Sequence, residues 1–116
     1  MNTRTAVWRF ARCVLSIAAL LVAIDAWAID APAAEALMKD SGCNKCHRVE
    51  KKKDGPAYHE VALKYKGKSD AEARLITHIT TGEKAKFPDG HEEDHKIIKT
   101  KDMAQIKNLV NWILAQ

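Results

Sequence analysis

The sequence is poor in the residues that staple or punctuate a fold. It has three cysteines, three prolines and five glycines in 116 positions. Cys13 sits in an apolar segment near the start, which leaves Cys43 and Cys46 as one close pair. A single pair three positions apart is no disulfide framework. No apolar run approaches the ~20 residues needed to span a bilayer; the longest, Cys13 to Ile24 (CVLSIAALLVAI), has twelve. An excess of one charge is missing too. The net charge is +4 over the whole chain, and setting aside residues 1–28 with Arg4, Arg9, Arg12 and Asp25 leaves 16 basic and 14 acidic side chains. The electrostatic footprint of a nucleic-acid binder is therefore absent. Internal repeats and low-complexity tracts are also lacking.

The N-terminus does carry a pattern. Three arginines precede the apolar run, and Ala26-Trp27-Ala28 follows it as a small-residue A-x-A site. That order predicts a secretory signal peptide over residues 1–28, cleaved after Ala28. The mature domain would span residues 29–116, with no membrane span, exported to the periplasm. A domain of 88 residues holds one modest core, and at this size a bound cofactor commonly serves as the staple.

Hydrophobic spacing predicts an all-α domain of four short helices. Ala33 to Lys39 is rich in helix formers, follows Pro32 and is stopped by Ser41-Gly42. Tyr58, Val61, Ala62 and Tyr65 share one face of a second helix, which Gly67 ends. Ser69-Asp70-Ala71-Glu72 reads as an S-x-x-E capping box ahead of Leu75, Ile76 and Ile79, with Gly82 closing the element. Ile106, Leu109, Val110, Ile113 and Leu114 form the clearest stripe, at i, i+3, i+4, i+7 and i+8. Between Gly82 and about Asp102 no period is visible, and a structureless loop of nearly twenty residues is expected there. Loops of that length inside a compact domain are usually functional.

The chemistry is concentrated in residues 43–47, CNKCH. Two thiols at this spacing reach the two vinyl groups of one haem, and the adjacent imidazole turns onto the iron from the same side. The rival readings of a bare C-x-x-C lack support. A zinc site would want a second close Cys or His pair, and a thioredoxin-like redox motif would want a βαβ pattern.

With CNKCH in place, the chain resembles a short bacterial class I monohaem cytochrome c. The helix ahead of SGCNKCH, the turn DGPAY at 54–58, KYKGK at 64–68, SDAEARLITHITTG at 69–82 and the closing LVNWILAQ at 109–116 occur in that family's order. The resemblance implies a fold of about four helices around one covalent haem c, with the first and last helices crossing. It implies Cys43 and Cys46 as the haem attachments and His47 as the proximal axial ligand. It also implies that Pro56 lies on the proximal side, where a backbone carbonyl orients the imidazole. Trp112 would pack near the haem in that family; simple burial in the core explains a tryptophan there equally well.

The resemblance breaks at the second axial ligand. The family places a methionine followed by prolines ahead of the last helix, and here that stretch reads FPDGHEEDHKIIKTKDM over residues 87–103. Met38 falls in the first helix and Met103 at the start of the last. Counting back from Trp112, the methionine slot lands beside His95, and imidazole suits haem iron well. His95 is therefore the expected distal ligand, with His91, Met103 or an open site as alternatives. His91 and His95 binding a separate divalent metal would need a helix that Pro88 and Gly90 disfavour. His59 and His78 are expected on the surface.

The expected function is single-electron transfer between redox partner proteins by a monomer, with no catalysis of its own. Lys45, Lys51, Lys52 and Lys53 could steer acidic partners. The alternative is a small-gas-binding or sensor haem protein whose distal ligand is displaceable. A haem peroxidase would need a placed acid or base on an open distal side; Glu92, Glu93 and Asp94 are the only local candidates.

Overall fold

A computed structural model describes residues 28–116. The segment 1–27, on which the export-signal expectation rests, lies outside the described residues. The four expected helices are present: α1 (Ala31–Asp40), α2 (Tyr58–Tyr65), α3 (Ala71–Thr81) and α4 (Met103–Leu114).

Helix α4 is the centre of the packing, because α1, α2 and α3 all lie against it. Its predicted stripe is the one that is buried: Ile106, Leu109, Val110 and Ile113 are in the core, joined by Trp112. Leu109 and Val110 are the largest side chains buried in full, and each such burial contributes about 1.5–3 kcal/mol. Asp102 caps the helix by accepting from the Ala104 N–H at 2.9 Å, which satisfies one of the donors that a helix start leaves unpaired. Asp30 does the same for α1, accepting from the Ala33 N–H at 3.0 Å. Ala34 of α1 is completely buried, and a residue that small lets the two helices approach closely. The start of α1 is tied to the middle of α4 by two hydrogen bonds: the Asp30 N–H donates to Asn108 Oδ1, and Asn108 Nδ2 donates to the Asp30 carbonyl, each at 2.8 Å.

Helix α3 departs from its expected start. No S-x-x-E box forms; Asp70 occupies the cap position without a side-chain bond, and the helix begins at Ala71. The carboxylate of Glu72 instead accepts from Asn111 Nδ2 of α4 at 3.0 Å. A tertiary partner has taken the acceptor that a local cap would have used. On α2, the Ala57 N–H donates to Glu60 at 3.0 Å, so the reach-back half of such a box exists there without a Ser or Thr.

The stretch between α3 and α4 is not a structureless loop. Lys84–Lys86 (β1) and Glu92–Asp94 (β2) pair antiparallel, with Lys84 opposite Asp94, Ala85 opposite Glu93 and Lys86 opposite Glu92. The connection is closed by the Phe87 N–H donating to the His91 carbonyl at 2.9 Å and the Gly90 N–H donating to the Phe87 carbonyl at 3.0 Å. Gly90 has φ +92°, as a three-residue hairpin loop ending in a left-handed residue requires. The strands escape a search for alternating apolar residues because they have almost none. Opposite charges face each other across the pair, with Lys84 Nζ 2.6 Å from Asp94 Oδ1. The signal that was available is Pro88-Asp89-Gly90, a turn sequence with a mechanism of its own. No helix among the described residues is long and apolar enough to cross a membrane.

Candidate functional site

The C-x-x-C-H segment follows Gly42, whose φ of +73° turns the chain out of α1. Cys43–Lys45 form one tight helical turn, and the His47 N–H donates to the Cys43 carbonyl at 3.0 Å. Both thiols and the imidazole are thereby gathered on a single turn. Cys43 and Cys46 are free and half-buried, and burial pushes the Cys43 thiol up from its ordinary range.

The His47 ring is fixed from several directions. Its Nδ1–H donates to the Pro56 carbonyl at 2.8 Å, which leaves the lone pair on Nε2 free for a metal. The loop that carries Pro56 is drawn in by the Gly55 N–H donating to the Cys46 carbonyl at 2.8 Å. Only glycine fits at position 55, since a Cβ there would stand 2.4 Å from His47 Cε1. Tyr58 stacks on the imidazole with ring centroids 5.3 Å apart and planes 18° from parallel. Trp112 is a core residue that meets Tyr58 edge-on at 5.8 Å, so Tyr58 joins the core tryptophan to the histidine.

His95 follows β2 directly. Its backbone N–H donates to the Glu83 carbonyl at 3.0 Å, one step beyond the hairpin pairs. Its ring faces that of His47 with centroids 6.1 Å apart and planes inclined by 51°. Its Nδ1 is buried with no hydrogen-bond partner among the described residues. Burial, reinforced by His78 and His47, holds the imidazole below its usual pKa; burial does the same to His47. Both rings thus favour the neutral form that binds metals.

His78, expected on the surface, is half-buried beside this pair. Its ring centroid lies 4.1 Å from that of His95, and its Nδ1–H donates to Glu83 Oε1 at 2.5 Å. Arg74 pairs with the same carboxylate oxygen at 2.7 Å. These two hydrogen bonds hold the Glu83 carboxyl below its ordinary value. The helical spacing already carried the hint, since His78 is three residues beyond Leu75 and seven beyond Ala71, both buried. His59 is on the exposed side of α2.

The other distal candidates are engaged elsewhere. His91 stacks on Phe87 at 4.4 Å, pairs with Asp89 and lies 3.3 Å from Glu93. The Asp89 carboxylate raises its pKa, so the positive charge is favoured there. Met103 is 48% exposed and lines a surface groove of about 530 Å³ with Thr80, Ile97 and Lys99. Met38 packs against the core from α1.

The 6.1 Å between the ring centroids of His47 and His95 would leave room for one metal ion between them. These residues fit a covalent haem, with two thiols on one turn and His47 Nε2 free beside them. Comparison with known proteins agrees. The cytochrome c family model matches residues 31–116. Cytochrome c-551 of Pseudomonas aeruginosa is 35% identical over 102 residues, covering 83% of this chain and 86% of its own. Cytochrome c-552 of Hydrogenobacter thermophilus is 36% identical over 96 residues, covering 83% and 94%. Among solved structures, the class 1 cytochrome MtoD of Sideroxydans lithotrophicus ES-1 superposes with a TM-score of 0.73 at 61% identity, covering 76% of this chain and 97% of its own. The chain belongs to the cytochrome c family and is a small, electron-carrying class I cytochrome with one covalently attached haem c.

Proposed function

We propose that this cytochrome is a periplasmic one-electron carrier, attached to its haem through Cys43 and Cys46 and binding the iron through His47 and His95. The observation that carries the ligand assignment is the facing pair of imidazoles, 6.1 Å apart. When bound, haem c supplies one-electron redox chemistry. The chain's own residues hold the geometry still around it. Pro56 and Gly55 lock the proximal ring, the hairpin delivers His95, and Tyr58, Trp112 and Leu109 exclude water from the interior. Two fixed imidazoles place the midpoint potential below that of His/Met relatives. Export rests on the basic, apolar and A-x-A pattern of residues 1–28.

Lys45 and Lys96 support an acidic redox partner. A Cβ on Gly42 would meet both side chains at 3.8 Å, so the two lysine side chains converge beside the attachment turn from distant parts of the chain. Lys53 joins them, its ammonium donating to the Lys45 carbonyl. Encounter with an acidic partner through this patch slows as ionic strength rises.

The experiment is electron paramagnetic resonance of the oxidised protein beside His95→Ala. The expected result is a low-spin bis-imidazole signal in the parent and its loss in the variant; an unchanged signal removes His95 from the iron. The absent partner on His95 Nδ1 favours a second reading, in which the ligand yields to a small gas. Rapid and complete conversion of the ferrous protein by carbon monoxide would establish it; resistance to carbon monoxide favours the carrier.

A further inference from the structure

We infer that Glu83 is the positioning residue for the distal ligand, an inference that rests on His95 binding the iron. Glu83 stands between α3 and the hairpin and binds the His95 region twice. Its backbone carbonyl accepts the His95 N–H at 3.0 Å, which fixes where the ligand leaves the strand. Its carboxylate accepts from His78 Nδ1 at 2.5 Å and from Arg74 at 2.7 Å, both on α3. The His78 ring so held lies against His95 at 4.1 Å, on a different contact from the 6.1 Å approach to His47.

Among the described residues His95 Nδ1 has no hydrogen-bond partner, so this backbone bond and the packing of His78 bear directly on its orientation. The Lys84–Asp94 pair closes the first rung of the hairpin next to Glu83. One side chain thus joins a charge-paired hairpin, which has almost no core of its own, to a helix that is anchored in the core.

The test is carbon monoxide binding to the ferrous protein, where departure of the distal ligand limits the rate, together with the low-spin signal of the oxidised protein. Glu83→Ala is expected to speed binding about tenfold, within the range seen when a partner outside the metal's own ligands is removed, and to shift the low-spin signal. Glu83→Gln, which keeps the shape and an oxygen acceptor, should recover part of the slow binding. If Glu83→Ala unfolds, Glu83→Gln is read against the parent on the same terms. Unchanged binding and an unchanged signal overturn the inference, even if thermal stability falls, because Glu83 would then serve the fold alone. A parent signal indifferent to His95→Ala overturns the ligand assignment itself, and this inference with it.

Discussion

The two sides of the haem site are built by opposite means. The imidazole of His47, the proposed proximal ligand, is four residues from Cys43, on the same turn, and its Nδ1–H is taken by a backbone carbonyl nine residues away. A glycine closes on its edge and an aromatic ring covers its face. The imidazole of His95, the proposed distal ligand, hangs from the end of a charged two-stranded hairpin. Its Nδ1 has no partner among the described residues, and its immediate support is another histidine held by a carboxylate. A ligand held by backbone and close packing is insensitive to its surroundings, whereas one held through side-chain charges can be tuned and can be broken.

The largest expected effect is on the proximal side. Gly55→Ala sets a methyl group 2.4 Å from the imidazole, so the loop or the ring must move. Overpacking of this kind costs about 1–3 kcal/mol. In a domain of this size a loss of 1 kcal/mol lowers the melting temperature by about 4–8 °C. Thermal unfolding of the holoprotein measures it, and an unaltered melting temperature would show the proximal clamp to be looser than its geometry.

Next is the exchange of the distal donor. His95→Met gives the iron a thioether in place of an imidazole and raises the midpoint potential, on the order of 100 mV within the span that axial ligands control. The fold should be little affected, because the hairpin buries almost nothing. Redox titration reads the shift, and a potential that does not move would mean that residue 95 does not reach the iron.

Acid separates the two sides again. The carboxyl of Glu83 is held low by His78 and Arg74. Its contribution is therefore complete above the usual glutamate value of about 4.3 and is lost as the pH falls through the lowered value. The Pro56 carbonyl has no titration in that range. On acidification below the usual glutamate value, distal coordination should yield while the proximal bond persists, as followed by the optical spectrum. Simultaneous loss of both would count against a distinct distal brace.

The smallest effect is at the hairpin rim. Lys84 and Asp94 form a close pair but are largely exposed, and exposed pairs add little because water and salt screen them. Asp94→Asn should leave the melting temperature unchanged within error. A clear loss would show that the hairpin is a larger part of the stable structure than its burial indicates.

How far this was legible in the sequence follows from the range of the forces involved. The stripe on α4, the end of α1 at Ser41-Gly42 and the C-x-x-C-H turn depend on neighbours within about one helical turn, and their residue types state the outcome. The placement of Pro56 came with the family resemblance, and the structure shows its carbonyl on His47. The hairpin is hard to read because its strands carry charge where an alternating apolar pattern would mark a strand, although Pro88-Asp89-Gly90 marks the turn. His78 reads as a surface residue because a polar residue on the edge of a buried stripe is ordinarily exposed. Its burial requires Glu83 to hold it, and no local rule brings those two together with Arg74.

By itself, then, the sequence determined the helices and the covalent attachment of the cofactor and pointed to His47 as the proximal ligand, because each is written in residues close along the chain. It left a few candidates for the distal ligand. Only the tertiary structure shows how differently they are placed. It turned His91 onto Phe87 and Asp89, left Met103 at a surface groove, and brought His95 opposite His47 from 48 residues away. The physical reason is that facing rings across a site are fixed by how a hairpin and a helix dock, and docking is decided by contacts that no short stretch of sequence contains.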